Sequence, residues 1–117
     1  MKHDAENIIV VKSKNFALKA IKLYRYLEKR EYVLSRQFLR SATSIGANVK
    51  EAIRGQSNAD FGAKMNIALK EASETEYWLE LLQESEYTTE KEEYILNDCR
   101  ELIKILMSIV KTTFDKK

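Results

Sequence analysis

Four separate segments of this sequence repeat apolar residues at alternating spacings of four and three, and this pattern constrains the fold more than any other feature. The segments are expected to cover about residues 13–30, 35–54, 58–85 and 90–114. This spacing places a continuous stripe along one face of a helix, as the seam of a helical bundle requires. The predicted stripes are Phe16, Ala20, Leu23 and Leu27; Phe38, Ala42, Ile45, Val49 and Ala52; Phe61, Met65, Ala68, Ala72, Thr75, Leu79 and Leu82; and Ile95, Cys99, Leu102, Leu106 and Ile109.

Each segment also carries a start or stop signal for a helix. The expected N-caps are Ser13, Ser35, Ser57 and Thr89, with Asp60 and Glu92 completing capping-box patterns for the last two. Gly55 is expected to adopt the left-handed conformation that ends helix two. Because connections of about three to five residues join the helices, neighbours must run antiparallel. The sequence therefore predicts one domain over residues 1–117, an all-α, antiparallel up-and-down four-helix bundle.

The side chains that most enzymes and metal centres need are scarce in this chain. Its single histidine, His3, falls in the predicted N-terminal tail, so the Glu-x-x-His pairs of di-iron bundles are missing. Its single cysteine, Cys99, lies on a predicted core stripe, where an inert thiol is expected rather than a nucleophile. The sequence has no glycine-rich phosphate loop. We therefore expect a protein that is not an enzyme and needs no cofactor, metal ion or small-molecule substrate.

Hydropathy and cysteine content predict the compartment. No apolar run approaches the roughly 18 residues of a membrane span, so no membrane partner is expected. A lone cysteine rules out an internal disulfide and fits a reducing environment. The expected location is the cytoplasm.

Basic residues are concentrated in the first half of the chain. Residues 1–54 hold 12 Lys and Arg against 5 Asp and Glu, whereas residues 55–117 hold 8 against 13. On a helical wheel at roughly 100° per residue, the arc of helix two opposite its core stripe carries Arg36, Arg40, Lys50 and Arg54. Such a face can follow a phosphate backbone, so these are the predicted nucleic-acid contacts, although no aromatic residues for base stacking are interleaved with them. A solvated helix face is the alternative.

Polar residues flank two of the predicted core stripes. The stripe on helix two consists of Ser41, Ser44, Asn48 and Glu51, and the one on helix three of Glu71, Glu74 and Trp78. Partly buried polar groups must hydrogen-bond to one another, so we expect a network that fixes helix register or a subunit contact. A carboxylate metal site is a weaker alternative, because imidazole and thiolate ligands are absent nearby.

Two helices carry more apolar residues than one seam needs. The surplus residues are Ala17, Ile21 and Tyr24 on helix one, and Tyr77, Trp78 and Leu81 on helix three. Surplus apolar surface commonly marks a subunit interface. Because one half of the chain is basic and the other acidic, a head-to-tail contact between copies would be matched in charge, and such contacts can close into rings.

Residues 37–52 (QFLRSATSIGANVKEA) resemble the signature of the four-helix-bundle proteins encoded in intervening sequences of bacterial 23S ribosomal RNA genes. Residues 12–17 (KSKNFA) and 106–112 (LMSIVKT) are also similar to that family, so the resemblance spans nearly the whole chain. At position 52 this chain has alanine where the family usually has glycine. Because alanine is the better helix former, the difference should lengthen helix two. On helix three, a second signature is matched by Phe61, Ala68, Glu71, Glu74, Trp78, Leu79 and Leu82.

The resemblance implies a homopentameric ring of bundles without known catalytic activity. It also implies kinship with the accessory proteins of diversity-generating retroelements, which bind nucleic acid and a reverse transcriptase. The leading hypothesis is therefore an oligomeric RNA-binding protein associated with 23S ribosomal RNA or its intervening sequence. The alternatives are a protein–protein adaptor that docks an acidic partner, and a retroelement accessory protein.

Overall fold

The computed structural model of the protein describes residues 4–115 and confirms the all-α, four-helix bundle. The helices are α1 (Asp4–Leu27), α2 (Val33–Ile53), α3 (Asn58–Glu84) and α4 (Glu93–Asp115). A single 3-10 turn, Glu90–Glu92, precedes α4. The bundle measures 48 × 20 × 18 Å. His3 lies outside the described residues, whereas residues 4–12, expected to belong to an N-terminal tail, are part of α1.

Cross-helix contacts show how neighbouring helices run. Between α2 and α3, Ser41 meets Thr75, and Glu51 meets Lys64. Residue numbers therefore rise along α2 while they fall along α3, as in an antiparallel pair. The two ion pairs between α1 and α4 show the same reversal.

The core consists of the predicted stripes. Every stripe residue is buried except Phe61, which is half-buried at the start of α3. Ile9 and Leu96 add to this core from positions that the stripes did not include. The alternating spacing of four and three therefore located the seam of all four helices.

The start of α1 differs from the expectation, because Ser13 is not an N-cap. The helix begins at Asp4, and Ser13 lies inside it, buried, with its hydroxyl donating to the carbonyl oxygen of Val10 at 3.3 Å. Ile9 is fully buried and extends the stripe from Phe16 by about two turns. Packing of these additional turns outweighs the preference of serine for a helix end, since tertiary contacts supply most helix stability.

The start of α2 was also predicted wrongly, because Glu31 replaces Ser35 as the capping residue. The carboxylate of Glu31 accepts hydrogen bonds from the backbone N–H groups of Leu34 at 2.6 Å and Ser35 at 3.2 Å. Ser35 is buried, and its hydroxyl donates to the carbonyl oxygen of Tyr32. A carboxylate is a stronger acceptor than a hydroxyl at the positive end of a helix.

Helix ends also depart from the sequence prediction. Gly55 is not left-handed; α2 ends at Ile53, and the N–H of Gly55 bonds to the carbonyl oxygen of Ala52 at 3.0 Å. Glu86, two residues after the end of α3, is left-handed instead, with a φ of 68°. Gly55 keeps a negative φ, so its left-handed freedom is not used, but its lack of a side chain allows a close approach, because a Cβ there would lie 3.1 Å from the carbonyl oxygen of Ala52.

Two predicted start signals are confirmed. The hydroxyl of Ser57 accepts from the backbone N–H of Asp60 at 3.1 Å. Thr89 and Glu92 form a capping box, in which the Glu92 carboxylate accepts from the N–H of Thr89 at 2.6 Å. Both signals are exposed, so no packing requirement competes with them.

Arg30 ties two connections together at one end of the bundle. Its guanidinium lies 5.7 Å from the ring centroid of Tyr26 and 5.6 Å from that of Tyr87. It also donates to the Tyr26 hydroxyl at 3.2 Å and to the carbonyl oxygen of Tyr87 at 3.1 Å. The connection after α1 is thereby fastened to the connection before α4.

Replacement of Gly46 by alanine should stabilise the fold. Gly46 lies inside α2, and an added Cβ would lie 3.5 Å from the carbonyl oxygen of Ser13, an ordinary contact distance. Since glycine in a helix interior costs about 0.5–1 kcal/mol relative to alanine, Gly46→Ala should raise the free energy of unfolding by about that amount. Urea unfolding followed by circular dichroism measures the change.

Gly62 in α3 provides the matched control. A Cβ there would lie 2.8 Å from Cζ of Phe114, so the phenylalanine ring must move. Gly62→Ala should therefore gain less stability than Gly46→Ala. A larger gain at Gly62 would contradict the described packing of α1 on α2 and of α4 on α3.

Candidate nucleic-acid interface

Three of the four predicted contact residues are exposed cations without a carboxylate partner. Arg36, Lys50 and Arg54 point to solvent along α2. Within residues 4–115, none of these three side chains forms an ion pair. Their charges are therefore available to an anionic ligand.

Arg40, the fourth predicted contact, is paired within the molecule. One guanidinium nitrogen donates to Glu71 at 3.3 Å, and another donates to the carboxylate of Glu74. The indole N–H of Trp78 donates to the same Glu74 oxygen at 3.0 Å. The hydrogen bond between Arg40 and Glu74 raises the pKa of Arg40 and lowers the pKa of Glu74. A helical wheel of α2 alone could not reveal these carboxylates, because they come from α3.

Exposed cations also lie on α1, the helix that packs beside α2. The register of the two helices is fixed where Gly46 approaches Ser13. Between residues 7 and 27 the sequence of α1 contains no acidic residue. Three exposed basic residues of α1 have no ion-pair partner among residues 4–115, and a fourth such residue lies just after the helix. They are Lys14, Lys22, Arg25 and Lys29.

The remaining cations of α1 face α4 and are neutralised there. Lys12 pairs with Glu101 at 3.3 Å and Lys19 pairs with Asp98 at 2.8 Å. On the far side of the bundle, Arg100 is bridged by two carboxylates of α3. Seven exposed cations of α1, α2 and the residues next to these helices have no carboxylate partner among the described residues. We call this set the basic face: Lys14, Lys22, Arg25, Lys29, Arg36, Lys50 and Arg54.

The polar stripe of α2 separates into three local groups. The hydroxyl oxygens of Ser41 and Thr75 lie 2.8 Å apart in the core, between α2 and α3. The amide of Asn48 donates to the carbonyl and hydroxyl oxygens of Ser44, within α2.

The third group is exposed, and joins Glu51 to Lys64 at 2.8 Å. The Ser41–Thr75 contact, the Glu51–Lys64 ion pair and the Arg40 cluster each join α2 to α3. Among the described residues the two polar stripes do not bond directly to each other, so the predicted network between them is replaced by these separate contacts.

The thiol of Cys99 lies in the core and is expected to be unreactive. Burial raises its pKa to about 12, so it stays protonated at neutral pH and lacks the thiolate that a nucleophile needs. Its Sγ donates to the carbonyl oxygen of Ala72 at 3.3 Å. Among the described residues, no cluster of three or more His, Cys, Asp or Glu side chains could hold a metal ion.

Sequence reasoning missed an aromatic residue next to the predicted contacts. Tyr32 precedes the first residue of α2, is 53% exposed and lies beside Arg36. It was overlooked because helix two was expected to begin at Ser35. The spacing of four residues between Tyr32 and Arg36 was a signal that could have found it.

Fold and surface together define a helical-bundle protein with a basic face on two adjacent helices. No helix within residues 4–115 is both long and apolar enough to cross a membrane. A family model described as 23S rRNA-intervening sequence protein matches residues 5–108, so the chain belongs to this family.

One solved structure is similar along almost the whole chain. It is described as a protein with unknown function from the S23 ribosomal protein family of Bacteroides thetaiotaomicron. The two sequences are 54% identical, and the alignment covers 92% of this chain and 98% of that chain with a TM-score of 0.88. No curated protein matches the chain.

The pairing of Arg40 with Glu74 predicts a dependence of stability on pH. Because the pKa of Glu74 lies below its usual 4.5, its contribution is fully present above about pH 4.5 and is lost as pH falls further. Glu74→Gln should lower the free energy of unfolding at pH 7 by less than about 1 kcal/mol, since the pair is partly exposed. That difference from wild type should shrink as the solution is acidified below pH 4.5.

Denaturant unfolding at several pH values measures this effect. Glu84→Gln is the control, because Glu84 is exposed and has no ion-pair partner among residues 4–115. Equal losses in both variants at pH 7 would contradict a specific role for Glu74.

Proposed function

We propose that this protein is a non-catalytic, oligomeric RNA-binding protein whose basic face contacts phosphate groups. The observation that carries the proposal is the clustering of free cations: the basic face brings seven cations onto two adjacent helices and the residues next to them, and none of the seven has a carboxylate partner among the described residues. The name of the family supports ribosomal RNA, or its intervening sequence, as the target.

The basic face has dimensions suited to a nucleic-acid backbone. Arg36 and Arg54 are 18 positions apart on α2, which corresponds to about 27 Å along the helix. Between them, Thr43 and Ala47 are short side chains that let a ligand approach the helix surface. Contacts of this kind bind phosphates without reading bases, and they weaken as salt rises because counterions are released.

Self-association is part of the proposal. Tyr77 is 54% exposed on α3, and its ring centroid lies 5.4 Å from that of Trp78. Ile21 and Tyr24 on α1 remain half-buried in a single copy of the bundle. Contact between the two flanks of neighbouring copies would cover both apolar surfaces and bring basic α1 near the acidic half of the chain.

A second candidate function is an adaptor that docks an acidic protein. Val11 and Leu18 are 58% and 56% exposed on α1, among the cations of the basic face. Aliphatic side chains add little to phosphate binding, but they are well suited to contact another protein. The kinship with retroelement accessory proteins would extend this candidate to a reverse transcriptase as the partner.

Removal of charge from the basic face should weaken RNA binding and its salt dependence together. For Arg36→Gln combined with Arg54→Gln, the slope of log affinity against log salt should fall by about 1.4 on single-stranded RNA, since each phosphate contact contributes about 0.7. Fluorescence anisotropy with a labelled ribosomal RNA fragment across a salt series measures both quantities, with duplex DNA as competitor.

Lys104→Gln combined with Lys111→Gln is the matched control. These two lysines are exposed on α4 and the substitution removes the same charge. The control should keep the wild-type slope. Equal losses in both double variants would show that net charge, and not the basic face, drives binding. Absence of binding by wild type at low salt would favour the adaptor.

The purified protein should behave as a ring-sized oligomer. Light scattering coupled to size exclusion is expected to give about five times the 13.6 kDa chain mass, the subunit number that the family resemblance implies. Tyr77→Glu should reduce the mass, because a buried unpaired carboxylate opposes association. A wild-type mass equal to one chain would exclude the ring.

A further inference from the structure

Tyr32 and Arg36 form a paired unit at one end of the basic face. The guanidinium of Arg36 lies 5.1 Å from the ring centroid of Tyr32 and donates to its hydroxyl oxygen at 2.6 Å. About half of the tyrosine surface stays open to solvent. The contact restricts both side chains, so a ligand meets an aromatic ring and a cation that are already positioned together.

The fold does not depend on this tyrosine side chain. Tyr32 stands at the N-cap position of α2 but makes no side-chain capping hydrogen bond. Glu31 satisfies the free N–H groups there. Tyr26 and Tyr87 differ, because they hold Arg30 between two connections of the bundle. Among these three tyrosines, only Tyr32 combines an exposed ring with a cation of the basic face.

An exposed ring beside a phosphate-binding cation has a specific use in RNA recognition. Bases of single-stranded RNA stack on tyrosine rings and on arginine planes, whereas bases in a duplex are stacked on each other and unavailable. The basic face supplies the phosphate contacts on either side of such a base. Arg25 on α1 lies close to the level of Arg36, given the register set by Gly46 and Ser13.

We infer that Tyr32 and Arg36 form a base-stacking site, and that the basic face therefore prefers single-stranded RNA to duplex RNA. This inference rests on the proposed RNA-binding function. It adds the substrate class: an unpaired segment with at least one base that can leave its neighbours and stack on Tyr32.

Tyr32→Ala tests the inference. The probes are a single-stranded oligouridylate of about ten nucleotides, within the length that such sites bind, and an RNA duplex of the same length. The variant should bind the single strand between about 5-fold and about 150-fold more weakly, the range for loss of one stacked base. Its salt slope and its affinity for the duplex should stay at the wild-type values, because no phosphate contact is removed.

Two further variants separate stacking from general effects. Tyr32→Phe keeps the ring and loses only the hydroxyl, so it should bind the single strand nearly as well as wild type. Tyr94→Ala removes another exposed tyrosine, 5.6 Å from a lysine that Asp98 neutralises, and should leave binding unchanged. Thermal melting by circular dichroism checks that all three variants stay folded.

The outcomes distinguish the inference from the proposed function. If Tyr32→Ala binds the single strand as wild type does, or loses single-strand and duplex affinity equally, the stacking site is wrong. In that case the basic face still stands if Arg36→Gln with Arg54→Gln lowers the salt slope. If wild type binds neither probe at low salt, the stacking site and the proposed function both fail.

Discussion

Close packing of α2 against α3 through small buried residues is the constraint on which most other features depend. Alanine occupies the seam at positions 42 and 52 of α2 and at 68 and 72 of α3, and all four are buried. Short side chains let two helix backbones approach, and the hydrogen-bonded hydroxyls of Ser41 and Thr75 lie in that contact. The same approach brings Arg40 within reach of the Glu71 and Glu74 carboxylates. The basic face is therefore confined to the side of α2 that turns away from α3.

The core of this protein could be predicted from sequence because burial depends on periodicity. A residue such as Phe38 repeats with its neighbours at four and three, and no other arrangement buries the whole set. Helix ends were harder to predict. Ser13 and Ser35 have the residue type of an N-cap, yet both lie inside helices, where apolar neighbours extend the packing. Only the exposed signals at Ser57 and Thr89 acted as the sequence indicates.

The candidate interface was predictable to the extent that it belongs to one helix. Arg36, Lys50 and Arg54 are exposed as a wheel of α2 predicts, because solvent accessibility follows from the position of the core stripe. The pairing of Arg40 could not be deduced, since it depends on the register between two helices. Tyr32 was missed for another reason: it lies one residue outside the helix, and its role depends on where the helix begins.

Arg30 also couples two connections at one end of the bundle. It joins the connection after α1 to the connection before α4, so any opening of that end must break contacts with both Tyr26 and Tyr87. Local unfolding is less favourable where several contacts must break together. Tyr32 lies in the first of these connections, so the end of the basic face that carries Tyr32 opens only when the second connection is released as well.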